Sequence, residues 1–382
     1  MKKSRTAIIL AVCMGATLFA GCGSEKQKIY EQAGKDLEQG SYEYALQGYE
    51  ASVQNEVKLP HSYRGAGIAN LRLGNYEAAA ECFTNALNSD NMGKALRKDV
   101  LSYRATAYFK AGAYEDAMAD CQTLSEDGSL DADGYYLTGK VALEMDSYEE
   151  ASSNFEQAYV EDSTYDMAIR IYQAYIEKGM EADGTRYLEA ALKTEPKDAQ
   201  DYCDRGRVYY YMEDYDNAQK ELIEAANQES SEAVLLLGMV YLAQNDVSNA
   251  RVMYQEYVSK EGASAKGYNG LALCDIEEGN YSNALTNISN GLPSATTEEM
   301  QSLLFNEIVV YEKMLDFPTA QQKAREYLEM FPEDEAAAKE LAFLKTRITD
   351  SGAAGETGTQ QEGDGGEGGA EEGGSTQDGV GA

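Results

Sequence analysis

Tryptophan is absent from these 382 residues, histidine occurs once, and 32 lysines and arginines face 66 aspartates and glutamates. Each shortage excludes something. With His61 as the only imidazole, acid–base chemistry near neutral pH has little to draw on. A net charge of −34 repels nucleic-acid phosphates and anionic lipid headgroups, so neither suits as a partner. No His-Glu-x-x-His, Gly-x-Ser-x-Gly or Cys-x-x-Cys spacing occurs, so no catalytic residue, metal ligand or cofactor is expected, and the chain does not read as an enzyme. The nearest approach is the segment from Gly134 to Val141, which has phosphate-loop spacing through Gly139 and Lys140. It ends on Val141 where a magnesium-binding hydroxyl is needed, and it lies within a stretch that reads as helix.

A long apolar span is lacking as well. The run from Ala7 to Ala20 follows Lys2, Lys3 and Arg5 and is shorter than the roughly 20 residues that cross a bilayer, so it reads as an export signal and not a retained helix. The stretch Leu18-Phe19-Ala20-Gly21-Cys22 resembles the lipobox of bacterial lipoproteins, although Phe19 stands where an aliphatic residue is usual. That resemblance implies cleavage before Cys22, a diacylglyceryl group on its sulfur, and an extracytoplasmic protein held by lipid on the outer face of the cell membrane. Two or more acyl chains would make that anchor stable.

What is abundant is repetition. Small residues recur at Ala45, Ala79, Ala117, Ala151, Gly184, Ala218, Ala250, Ala284 and Ala320, at spacings of 34, 38, 34, 33, 34, 32, 34 and 36. An aromatic precedes most of them by two or three residues (Tyr42, Tyr76, Tyr114, Tyr148, Tyr215, Tyr281 and Phe317), placed to wedge each unit against its neighbour. Gly40, Gly74, Gly112, Gly179 and Gly279 lie five residues before an anchor, where a turn would open. Gly67, Gly139, Gly206 and Gly238 leave room for close helix crossing, and Pro196 and Pro332 stop helices. Such a period marks stacked helical hairpins that cannot bury their apolar faces singly.

The pattern resembles the tetratricopeptide repeat family. The resemblance implies an all-α, right-handed superhelical solenoid of about nine helical hairpins with a C-terminal capping helix. The chain then divides into a signal peptide (1–21), the lipidated Cys22 with a short linker (22–25), the repeat array (26–333), a capping helix (334–350) covering the last hairpin with Leu341, Phe343 and Leu344, and a disordered Gly/Glu-rich tail (351–382). Cys82, Cys121, Cys203 and Cys274 fall in different repeats. They read as small buried hydrophobes, with a Cys82–Cys121 disulfide as the alternative.

By the same resemblance, first helices line an inner groove that takes a protein or peptide segment. Carrying the inward positions onto this chain gives Arg64, Arg72, Lys110, Lys140, Arg207, Lys266 and Lys313 against nine acids, a far smaller imbalance than the rest of the chain carries. The expected partner-binding set is Arg64, Arg72, Lys110, Lys140, Arg207, Tyr210, Tyr211, Met239 and Phe305. An acidic part of a bound peptide would lie near Arg64 and Arg72, and an apolar part near Met239 and Phe305. Ile68 stands where family members that clamp a terminal carboxylate carry Asn. The reading is a membrane-tethered scaffold that organises proteins in the bacterial cell envelope. The alternative is a surface lipoprotein capturing glycans or peptides, with Tyr30, Tyr136, Tyr210 and Tyr211 as platforms.

Overall fold

A computed structural model describes residues 23–353 apart from positions 91 and 333, with side chains from residue 25 to 347. The signal segment, Cys22 and the chain beyond residue 353 lie outside the described residues. Among the described residues, helices pair into nine consecutive hairpins. They are α1 (Gly23–Glu38) with α2 (Tyr42–Gln54), α3 (Leu59–Arg72) with α4 (Tyr76–Leu87), and α5 (Lys94–Lys110) with α6 (Tyr114–Glu126). Next come α7 (Ala132–Glu144) with α8 (Tyr148–Glu161), α9 (Tyr165–Ile176) with α10 (Glu181–Ala191), and α11 (Ala199–Tyr211) with α12 (Tyr215–Asn227). Then follow α13 (Ser231–Ala243) with α14 (Val247–Glu261), α15 (Ala265–Glu277) with α16 (Tyr281–Gly291), and α17 (Thr297–Lys313) with α18 (Phe317–Met330), before a single α19 (Glu335–Ala353). No strand occurs among the described residues. Two boundaries differ from the sequence reading: residues 23–25 begin α1 instead of forming a linker, and residues 351–353 continue α19 instead of opening the tail.

One turn geometry makes every hairpin. The residue five positions before each anchor has a positive φ: Gly40, Gly74, Gly112, Gly179 and Gly279, but also Asp146, Glu213, Asn245 and Leu315. A left-handed residue ends the first helix and lets the chain reverse. Three of the second helices, α12, α14 and α18, also carry a side-chain cap: the Asp214, Asp246 and Asp316 carboxylates accept from backbone N–H groups three residues on, at 3.2, 3.1 and 3.2 Å. The eight alanine anchors are fully buried, and Gly184 is buried as well. Close crossing explains the small residues in the first helices: a Cβ on Gly67 would sit 2.5 Å from the Phe83 ring, and one on Gly238 2.6 Å from Tyr254. The aromatics that open the second helices are half-buried with one exception. Tyr148 is exposed and donates its hydroxyl to Asp146 at 2.9 Å, so it wedges nothing.

The chain forms two compact units, one comprising the residues up to Lys197 with Tyr211–Glu213, the other Asp198–Tyr210 and the residues from Asp214 onward. In the first, Phe83 and Phe155 fill the space between helices and are fully buried. The second ends on α19, which buries Ala337 and Leu344 against α17 and α18. Phe343, expected in that interface, is largely exposed and lies under the Arg347 guanidinium at 4.7 Å. Asp334 fastens the start of α19. It accepts from the Ala337 amide at 2.9 Å, the Tyr327 hydroxyl at 2.5 Å and the Gln301 amide at 3.1 Å. Burial pushes the Asp334 carboxyl up, but these hydrogen bonds outweigh it and hold the group below its ordinary range.

Candidate partner-binding groove

The bases expected to greet a partner in the first unit have other occupations. Arg64 forms a two-pronged ion pair with Asp99 on α5, one arm at 3.0 Å, and its guanidinium lies 5.4 Å from the Tyr103 ring. Hydrogen bonding to Asp99 pushes the Arg64 pKa up, so its charge is fixed. Lys140 bonds Glu177 at 3.1 Å and lies over Phe109 at 5.4 Å. Arg72 and Lys110 are exposed and stand in the last turns of α3 and α5, where a base complements the helix dipole. The pairing extends along the unit through Lys98–Asp131 (2.9 Å), Arg170–Asp133 (2.8 Å) and Lys178–Glu144 (2.6 Å). Members of these pairs are 33 to 37 residues apart, one repeat in each case.

The second unit is organised differently. A groove of about 790 Å³ runs over the N-terminal halves of α13, α15 and α17, reached by Arg207 from α11 and floored by the end of α14. It gathers Leu235, Leu236, Met239, Tyr254, Tyr257 and Leu273, with Arg207, Glu232, Glu261, Lys266, Glu298 and Glu299 among its polar residues. Two of the expected residues, Arg207 and Met239, therefore do share a site. Arg207 is held by Asp204 at 2.7 Å, and Glu299 is engaged in the capping box of α17, accepting from the Thr296 amide at 2.8 Å. Glu261 and Glu298 are exposed and form no ion pair among the described residues. Beneath them Tyr254 is 2% exposed, lies against Gly238 and Gly270, and makes no hydrogen bond through its hydroxyl among the described residues. Burial pushes that phenol far above its usual pKa.

The remaining expected residues are not brought to this groove. Phe305 packs edge-on to Tyr327 at 5.9 Å in the core beneath α19. Tyr210 packs against Tyr215 at 5.9 Å in the core of α11 and α12. Tyr211 belongs to the first unit, where its hydroxyl accepts from Gln173 at 2.8 Å and its carbonyl from Tyr172 at 3.0 Å. The other proposed platforms are also occupied: Tyr30 meets Tyr49 at 5.8 Å, and Arg170 covers Tyr136 at 4.2 Å. The phosphate-loop look-alike lies within α7. All four cysteines described are free thiols. Burial pushes Cys121 up to about 11 and Cys274 up to about 12.

Reading inward positions from first helices alone missed Tyr254, Tyr257 and Glu261, all on the second helix α14. One signal was available. Four residues after the anchor stand Phe83, Cys121, Phe155, Leu188, Leu222, Ile288 and Ala324, whereas Tyr49 and Tyr254 add a hydroxyl at that register.

The tetratricopeptide repeat family model matches residues 64–132 and 203–267. The match covers about a third of the chain. Its second stretch contains Arg207, Met239, Tyr254 and Glu261 of the groove. Such repeats generally bind protein partners and are typically non-catalytic. Outside the two stretches the hairpins keep the same turn and anchor geometry. Among solved structures, the chain is similar to a tetratricopeptide repeat protein from Parabacteroides merdae, at 19% identity over 66% of this chain and 99% of that one, with a TM-score of 0.42. MamA from Desulfovibrio magneticus is similar at 19% identity over 45% and 96% of the respective chains, with a TM-score of 0.39. PilF from Pseudomonas aeruginosa is similar at 18% identity over 55% and 96%, with a TM-score of 0.34.

Proposed function

We propose that this chain is a scaffold tethered by lipid at Cys22 to the outer face of a bacterial membrane, where the second unit's groove holds a segment of a protein partner in the cell envelope. The observation that carries the binding half is the groove itself, an open concavity of about 790 Å³ with apolar side chains on its floor, within the range of sites that take ligands. The tether rests on Leu18-Phe19-Ala20-Gly21-Cys22. Glycan capture has less support, because the rings of Tyr30, Tyr136 and Tyr210 are packed against side chains instead of offering open faces.

Two measurements test the two halves separately. A photoreactive residue at Met239, in protein carried in its native membrane, should form a discrete crosslink to a protein partner. The same probe at Arg72 should give none; crosslinking from Arg72 alone would overturn the placement. Cys22→Ala should move the protein from the membrane fraction to the soluble one, and unchanged fractionation would overturn the anchor.

A further inference from the structure

One acid of the groove works against the helix that carries it, and one buried ring opens a polar atom onto the cavity. Glu261 is the last residue of α14, where the helix dipole disfavours an acid. It has no ion pair among the described residues to compensate. Tyr254 buries a ring that phenylalanine or leucine supplies in other repeats, and its added hydroxyl bonds to no described protein group. That oxygen is not among the fully buried unpaired side-chain atoms, so it opens onto the cavity, where a bound group can reach it. Glu298 is different: it stands in the first turn of α17, where an acid stabilises the helix end. All three border the same cavity.

The charge around the cavity is also one-sided. Of its two bases Arg207 is already engaged by Asp204, and Lys266 faces four glutamates across the rim. In the first unit Arg64 and Lys140 are paired with Asp99 and Glu177, whereas Glu261 and Glu298 are left for something that arrives.

Resting on the reading of the groove as a protein-segment site, we infer that it selects a cationic amphipathic peptide. Its basic side chains meet Glu261 and Glu298, its apolar side chains cover Leu235, Met239 and Leu273, and one of its polar groups takes the Tyr254 hydroxyl. The sequence placed an acidic part of the peptide near Arg64 and Arg72 and an apolar part near Met239 and Phe305; Arg64 is paired with Asp99, and the charge beside Met239 calls for a basic partner instead.

The test uses the full chain and three short synthetic peptides sharing one apolar pattern, with Lys, Ser or Glu at every other position. Binding is read by fluorescence anisotropy at low and high salt. The Lys peptide should bind about ten-fold tighter than the Glu peptide, with the difference shrinking in salt. Glu261→Gln with Glu298→Gln should reduce that preference to about two-fold. Substituting Glu77 and Glu115 of the first unit removes the same charge and should leave the preference intact. Tyr254→Phe should weaken the Lys peptide about five-fold while the melting temperature stays level or rises, an outcome a purely structural tyrosine would not give. Equal binding of the Lys and Glu peptides, binding of none of the three, or a preference equally lost in the first-unit control overturns the inference. An unchanged affinity in Tyr254→Phe overturns the hydroxyl contact. A Met239 crosslink obtained alongside any of those results leaves the scaffold reading standing, so the two failures are distinguishable.

Discussion

The two units link successive first helices by different means. In the first, successive first helices are bridged by ion pairs: Arg64 to Asp99, Lys98 to Asp131, Arg170 to Asp133 and Lys140 to Glu177. In the second, the corresponding bridge from α15 to α17 is neutral, Asn306 donating to Asn269 at 2.8 Å, and Leu235, Met239 and Leu273 occupy the surface nearby. Half-exposed ion pairs contribute little stability, roughly 0–1 kcal/mol each. Their effect is to satisfy the polar groups of that face, leaving a partner few unmet contacts. Apolar residues at the same depth leave surface that is still worth burying. One repeat pattern thus yields a self-satisfied face and an open one.

The largest effect should show that the contrast stops at the inner face. Away from that face both units bury an ion pair: Arg104 with Asp120 at 2.7 and 2.8 Å inside the α5–α6 hairpin, and Arg251 of α14 with Asp275 of α15 at 2.9 Å between two hairpins, where Asn287 adds a bond of 2.7 Å. Removing Asp120 takes the charge partner from Arg104, so Asp120→Ala should lose about 3 kcal/mol in urea denaturation; Asp275→Ala should lose less, because Glu278 still holds Arg251 at 2.9 Å. No loss at all from Asp275→Ala would extend the contrast to the buried pairs. Next in size is a pH effect peculiar to the second unit. Burial, and then hydrogen bonding to Glu340 of α19, push Glu312 of α17 up to about 8. A carboxyl with a raised folded pKa supports the fold while protonated, so this contribution is complete below about 4.5 and fades as pH rises to about 8. At pH 8, Glu312→Gln should therefore stabilise by about 1 kcal/mol, discounted for its half-exposed position, and should flatten the slope of melting temperature over roughly pH 5 to 8.

A similar gain is expected at the last hairpin turn. Leu315 holds a φ of 61°, which a branched side chain adopts reluctantly, so Leu315→Gly should stabilise by about 0.5–1 kcal/mol in the same denaturation assay. The smallest effect sharpens the comparison most directly. Arg64→Ala and Lys140→Ala should each cost under about 1 kcal/mol, less in high salt, and leave Lys-peptide binding to the groove unchanged. A lost affinity would show that the ladder of the first unit takes part in binding.

How far the sequence reaches follows from the same contrast. Anchors such as Ala79 and turn residues such as Gly74 were legible because each answers a requirement local to one hairpin, a close crossing or a left-handed turn. The period also identifies equivalent residues, but not which side chain extends to the next repeat. Arg64 therefore read as available when Asp99, one repeat later, already held it. Phe305 and Tyr210 read as surface because a helical period assigns a stripe without its edge, and both fall on the packed side of that edge. The groove was half legible. Arg207 and Met239 came from the first helices, whereas Tyr254 and Glu261 come from a second helix that the family frame leaves out.

The four thiols bear on how this protein ages. Cys121, Cys203 and Cys274 are buried, Cys82 only partly, and burial holds all of them in the protonated, unreactive form. On the oxidising face where we place the chain, folding itself is what keeps sulfur from sulfur. An array that opens locally near Cys82 would first release a thiolate there, and one that opens fully would release four per molecule, each able to couple to a neighbour. Thermal inactivation in air should then be a one-way process whose rate follows unfolding, and a reductant should turn it back into an equilibrium.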